Sequence, residues 1–219
     1  MNYYYDPAIV PWLDILYQDR DIMVVNKPHD LLSVPGKPPE LWDSILTRIQ
    51  WEFPDAETVH RLDLATSGLM VVALHIEAER ELKRQFRERE TDKTYIAKVF
   101  GILAEKEGSI DFPLICDWPN RPKQMVSYEY GKDALTHYKV LSEDDDGNTL
   151  IELVPVTGRS HQLRVHMMSK GHPILGDRFY AHEDALKGRN RLYLHAAELA
   201  FTHPITKKRQ LFKQPPSFL

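Results

Sequence analysis

His60-Arg61-Leu62-Asp63-Leu64-Ala65-Thr66-Ser67-Gly68 runs directly into Leu69-Met70-Val71-Val72-Ala73-Leu74, a polar loop followed by a nearly continuous apolar run of strand length. Before it, Leu41, Ile45, Ile49 and Phe53 recur every fourth residue, which predicts one face of a helix stopped by Pro54. After it, the pattern from Ile76 to Glu90 turns helical, with Ala78, Leu82 and Phe86 as the stripe expected to be buried. That helix carries five acids and five bases, and Glu79 and Lys83 have the spacing of an i,i+4 pair, so most of its charge reads as a solvated face. A chemically dense loop is thus set between a helix and a buried strand.

Working outward, Asp21 to Lys27 reads as a short buried strand ended by Pro28, and the loop through Pro35-Gly36 and Pro38-Pro39 is rich in turn residues. Thr94 to Phe100 has strand propensity, with Tyr95, Ala97 and Val99 on one face. Strands are expected near 134–142 and 149–156, joined by the hairpin-like Glu143-Asp144-Asp145-Asp146-Gly147-Asn148. Ser160 is expected to cap a helix running to Lys170, with Gly171 as its stop, and Leu192 to Phe201 and Gln210 to Phe212 complete the strands. Strands outnumber helices without regular alternation, which predicts an α+β fold with a mixed, largely antiparallel sheet flanked by helices and loops.

Composition narrows the class. Hydrophobic residues make up 42 % and charged residues 27 % of 219, as in ordinary globular proteins. The start, Met1-Asn2-Tyr3-Tyr4-Tyr5-Asp6, lacks a signal-peptide pattern, and no stretch reaches the length of a membrane span, so a cytoplasmic protein with no membrane partner is expected. Cys116 is the only cysteine, which excludes an internal disulfide and a cysteine metal cluster; a buried small apolar role is expected for it. The net charge of −4 hides an asymmetry: residues 153–219 hold 11 Lys and Arg against four acids, a net +7, and the other 152 residues carry 17 bases against 28 acids, a net −11. The C-terminal third can therefore offer a positive face to a polyanion.

Two blocks carry candidate chemistry. In 60–68 a carboxylate, Asp63, stands among His60, Arg61, Thr66 and Ser67; the competing structural reading is that Asp63 caps a turn or pairs with Arg61. In Thr157-Gly158-Arg159-Ser160-His161-Gln162-Leu163-Arg164-Val165-His166-Met167, helical spacing puts His161, Arg164, Val165 and Met168 on one side. A buried Arg164 would need an anion, either a carboxylate such as Asp63 or an RNA phosphate. Ten histidines do not make a metal site here: His161 and His166 are five apart and no His-Glu-x-x-His pattern occurs, so no metal is expected. No glycine-rich phosphate loop or dinucleotide fingerprint is present.

These residues resemble the RluA-type pseudouridine synthases, which share HRLD followed shortly by TSG. Further blocks agree in order: Asn26-Lys27-Pro28 with Leu31-Leu32-Ser33-Val34-Pro35-Gly36, then Lys93-Thr94-Tyr95, the stretch from Gly158 to His166, and Arg191-Leu192-Tyr193-Leu194-His195-Ala196. The segment Pro113-Leu114-Ile115-Cys116-Asp117-Trp118-Pro119-Asn120-Arg121-Pro122-Lys123-Gln124 is similar to the dual-specificity RluA branch, whose substrates are 23S rRNA and a tRNA anticodon loop. The resemblance implies a catalytic domain over 13–219, an N-terminal extension over 1–12, no S4-like domain, a monomer, and an isomerase without cofactor. It also implies roles. Asp63 would be the catalytic carboxylate, Arg164 the arginine that pairs with it, and Tyr95 the residue that stacks on uracil and assists removal of the C5 proton. Arg61 would fill the space left by a flipped uridine, Leu194 would wall the pocket, and His60, Thr66, Arg159 and His161 would complete the substrate site. One departure stands out: His29-Asp30 replaces a residue followed by Gly, so a positive φ there would fall on Asp30. A noncatalytic RNA-binding module on the same basic face, and a metal-dependent hydrolase resting on the His count, are the alternatives.

Overall fold

A computed structural model describes residues 5–219; the first four residues of the expected N-terminal extension lie outside the described residues. In chain order the strands are β1 (Ile15–Gln18), β2 (Ile22–Lys27), β3 (Glu57–Thr58), β4 (Ser67–Ala73), β5 (Asp92–Val99), β6 (Glu107–Asp111), β7 (Leu114–Cys116), β8 (Gln124–Val126), β9 (Leu135–Glu143), β10 (Thr149–Pro155), β11 (Leu194–Thr202) and β12 (Arg209–Lys213). The helices are α1 (Ile45–Gln50), α2 (Ile76–Glu88), α3 (Gln162–Ser169) and α4 (Glu183–Leu186). The chain forms two compact units, one of residues up to Asp92 with Ala196–Ser217 and Leu219, the other of Lys93–His195 with Phe218.

In the first unit β2 lies between β1 and β4, β3 adds to the end of β4, and β12 pairs with β11. These four pairings are antiparallel. All seven residues of β4 are buried, because Leu69, Val71 and Ala73 join Ile22 and Val24 under α2 while the intervening residues are covered on the other face. Ala78 and Leu82 of α2 meet that face, Phe86 packs partly buried beside them, and Leu199 and Phe201 of β11 extend it. The helix expected over 41–53 is shorter. Ser44 and Thr47 form a capping box that starts α1 at Ile45, and Leu41 belongs to a 3₁₀ turn, Pro39–Leu41. α2 ends at Glu88, two residues early, since Arg89 takes a left-handed conformation at its C-cap (φ 61°).

The second unit is built on an antiparallel run of β5, β10, β9 and β6. The β9–β10 hairpin closes as expected around Gly147 at φ 74°, with Asp144 Oδ1 accepting from the Asn148 N–H. β7 and β8 form a separate small hairpin whose base packs through Leu114 and Val126 on Ala134 and on Val165 of α3. Ser160 does not cap α3: the helix begins at Gln162 after His161, which is left-handed at φ 54° and offers no side-chain cap. The first six residues of α3 are all buried, so the expected sidedness of that helix is replaced by enclosure. Cys116, expected to be buried, is half-buried. Many strands, few helices and antiparallel pairing in each unit make the fold α+β.

Candidate active site

The loop from His60 to Gly68 is held mainly through its backbone. Lys27 is wholly buried and its Nζ donates to the carbonyls of Pro28 (2.9 Å), Leu31 (2.6 Å) and Leu64 (3.1 Å). Ser33 Oγ donates to Leu62 O (2.7 Å) and accepts from Leu62 N–H (3.1 Å), clasping the residue before Asp63 from both sides. The Thr66 N–H donates to Asp63 O (3.1 Å), and the Asp30 N–H to Leu64 O (2.9 Å). Asp30 does adopt the positive φ, at 61°. Gly68 has φ 118°, and a Cβ there would lie 2.3 Å from Ala196 O, so only glycine lets the loop enter β4 at this approach.

Within this loop His60 accepts the Val71 N–H on Nε2 (3.0 Å) and stacks on Phe86, which gives it a structural task in fixing the loop to β4 and α2. Arg61 is exposed, Asp63 is half-buried, and Thr66 is buried with no hydrogen-bond partner for its hydroxyl among the described residues. An unpartnered buried hydroxyl is costly and uncommon.

The segment from Thr157 to Ser169, in the second unit, is held through side chains instead. Gln162 Oε1 accepts from Thr157 Oγ1 (2.7 Å) and from Arg159 N–H (2.9 Å), and its Nε2 donates to Leu135 O and Thr136 Oγ1, both at 3.0 Å. Thr136 in turn meets His166 Nδ1 (3.0 Å), and His166 Nε2 lies 3.0 Å from Phe112 O. The polar chain runs through fully enclosed groups, and burial pushes the His166 pKa down, favouring the neutral ring.

Arg164 is 4 % exposed, and its Nε and Nη2 donate to Asp177 Oδ2 (2.8 Å) and Oδ1 (2.7 Å) in a bidentate pair. Its guanidinium also lies 5.2 Å from the ring centres of Phe179 and Tyr180. Asp177 Oδ1 accepts from Phe179 N–H (3.0 Å) and Tyr180 N–H (3.3 Å), so one carboxylate fixes both the cation and the turn that brings the rings to it. Tyr180 Oη lies 2.6 Å from His161 Nδ1. The structure therefore joins His161 and Arg164 through Tyr180 and Asp177. Arg159 donates from Nε to Asp133 O (2.9 Å), outside that cluster. Tyr95 is half-buried on β5 opposite Leu153, and Leu194 is buried at the start of β11.

Asp177 and Tyr180 are the residues that sequence reasoning missed. Asp177 was legible as one of only four acids in the basic C-terminal third, close after a helix containing an arginine that needed an anion. Part of the expected positive face is also neutralised within the first unit: Arg209 pairs with Asp92, Lys213 with Glu198 (2.5 Å) and Lys207 with Glu81 (3.8 Å). Asp19, Asp21 and His203 bring oxygen and nitrogen atoms within 4.8 Å of one another, the spacing of a cation site. Their atoms are engaged internally, however. His203 Nδ1 accepts the Ile205 and Thr206 N–H groups, and its Nε2 faces Asp19 Oδ2 (2.9 Å). Burial works against ionisation of Asp19, but hydrogen bonds from Tyr17, the Asp21 and Ile22 N–H groups and His203 hold its carboxyl down at about 2.

Comparison with known proteins gives this arrangement its context. The profile described as RNA pseudouridylate synthase matches residues 21–169. The chain is 67 % identical over 190 residues to the Yersinia pestis protein named Dual-specificity RNA pseudouridine synthase RluA, covering 87 % of this chain and 92 % of that one. It is 59 % identical over 214 residues to the protein of the same name from Escherichia coli K12, covering 98 % of each. Among solved structures, Human RNA Pseudouridylate Synthase Domain Containing 1 matches with a TM-score of 0.81 at 30 % identity, over 98 % of this chain and 87 % of that one. The chain belongs to the RNA pseudouridylate synthase family as an RluA-type synthase, and its activity is that of an RNA pseudouridine synthase.

Proposed function

We propose that the chain isomerises uridine in structured stem-loops of both 23S rRNA and tRNA, the latter in the anticodon loop, with Asp63 as its catalytic carboxylate. The observation that carries the reading is the near full-length identity to relatives named as dual-specificity synthases, together with a carboxylate on a loop pinned by its backbone. In this reading the target base leaves the stack at a cost of a few kcal/mol, because no side chain reaches it inside a helix. Ionised Asp63 acts on the ribose, by attack or by proton abstraction, so that the C1′–N1 bond breaks. The uracil turns, a C1′–C5 bond forms, C5 gives up its proton and N1 ends with one, which conserves atoms and electrons without a redox cofactor. Tyr95 stacks on the base and helps remove the C5 proton, and Arg164 contributes a fixed positive charge to catalysis.

Arg61, exposed at the entry to the loop, fills the place of the flipped base; Thr66, Arg159, His161 and Leu194 bind substrate, and His60 serves the loop. The catalytic domain spans 13–219, preceded by the short 1–12 extension, and the protein works as a cytoplasmic monomer. No helix among the described residues is long and apolar enough to cross a membrane.

Mapping pseudouridine in rRNA and tRNA from cells lacking the protein tests the substrate assignment: one site should vanish from each RNA, and loss from only one class overturns dual specificity. The base-replacement role has its own test. Arg61→Ala should slow single-turnover modification of a folded stem-loop at least several-fold more than that of a short unstructured RNA, whose uridine needs little extraction. Equal losses on both RNAs would reject that role.

A further inference from the structure

The small hairpin of β7 and β8 presents a feature that none of the residues above requires. Its base is anchored by Leu114 and Val126 on Ala134 and Val165, but its tip holds Trp118 with 64 % of its surface exposed. The Arg121 guanidinium lies 4.6 Å from the centre of the Trp118 ring. The tip is well fixed. Asp117 N–H donates to Lys123 O (3.0 Å), Asn120 N–H to Asp117 O (3.0 Å) and Lys123 N–H to Asn120 O (3.1 Å), while Asn120 Nδ2 donates to Asp117 Oδ2 (2.9 Å). Pro119 and Pro122 restrict the backbone further, so the ring is held ready at little ordering cost on binding.

We propose that the Trp118–Arg121 pair is a stacking platform for an unpaired nucleobase of the substrate RNA, apart from the uridine that reacts. Every nucleobase has a π-face that stacks on an exposed indole, and a guanidinium beside it adds a charge for the adjoining phosphate. Lys123 follows in the same turn, and the nearest acid, Asp117, has its carboxylate engaged by Asn120. A protein partner would favour a contiguous apolar patch over a ring carrying a cation. The hairpin also connects to the Arg164 cluster, since Gln124 N–H of β8 donates to Tyr180 Oη (2.8 Å). The platform is thereby tied to half-buried Tyr180, whose N–H is fixed by Asp177.

This inference rests on the RNA-substrate reading above, and its test separates the two. Dissociation constants are measured for the parent protein, Trp118→Ala and Trp118→Phe on a tRNA anticodon stem-loop RNA. The same RNA is then used with an abasic residue at one loop position at a time. Trp118→Ala should weaken binding of the intact RNA about 5- to 150-fold, the range of one base–aromatic stack, and Trp118→Phe should restore most of it. At one loop position the abasic RNA should bind the parent with the same loss and lose nothing further with Trp118→Ala. Equal affinities of parent and Trp118→Ala overturn the proposal, and so does a loss of the same factor on every abasic RNA. A parent protein that forms no pseudouridine in these RNAs would undo the substrate reading while the binding comparison still decides the platform.

Discussion

Lys27 and Ser33 hold the Asp63 loop through backbone carbonyls and a backbone N–H, whereas Asp177, Gln162 and His166 hold the 157–169 segment through side chains. The difference shows where motif residues can act. A loop pinned by its backbone leaves a side chain such as Arg61 exposed and available. A segment pinned by side chains commits them to structure. Of the block from Thr157 to His166, Gln162 and His166 are hydrogen-bonding struts, and Arg164 is already fastened on one edge by Asp177.

The contrast breaks most visibly at Asp177. Asp177→Ala leaves a buried guanidinium without its bidentate partner and removes the acceptor for two N–H groups, so unfolding free energy should fall by about 3–5 kcal/mol. Urea denaturation midpoints read this directly. Glu79→Ala, which breaks the more exposed pair with Lys83 on α2, should cost less than about 1 kcal/mol on the same scale. Similar small losses for both would show that the second region is not held by its ion pair.

His166 sharpens the comparison through pH. Burial holds its folded pKa below the ordinary value of about 6.5, so the unfolded chain takes up the proton first as pH falls. The contribution is therefore complete above about pH 6.5 and is lost progressively below it, towards the depressed folded value. The difference in urea midpoint between the parent and His166→Gln should shrink as pH is lowered from 8 to 5. A constant difference would mean that the ring does not resist protonation in the fold. The smallest effect is expected at Thr66. Thr66→Val removes a buried hydroxyl with no partner among the described residues and should leave stability within about 0.5 kcal/mol of the parent. A loss above 1 kcal/mol would give that hydroxyl a structural bond after all.

Much of the first region was legible because its signals are local. The apolar run Leu69–Leu74, the stripe Ala78, Leu82 and Phe86 and the loop between helix and strand depend on neighbours in sequence, and all recur in the structure. The boundaries failed where one side chain overrode periodicity: Ser44 starts α1 four residues after Leu41 had opened the pattern. In the second region the decisive partners are distant in sequence. Thr136 lies 30 residues from His166, and Asp177 lies 13 residues from Arg164, beyond any helical spacing. Ser160 read as a cap because serine favours that place, but Gln162 takes the Arg159 N–H and sets the entry to α3.

The central claim is that Asp63 performs the chemistry while other residues supply most of the RNA affinity. Tritium release from C5-labelled uridine in a folded stem-loop RNA, compared between the parent and Asp63→Asn, tests it most directly when binding of the same RNA is measured alongside. Release should fall by at least about a thousandfold, to background, with RNA affinity retained within a few-fold. Near-normal release by Asp63→Asn would contradict the assignment.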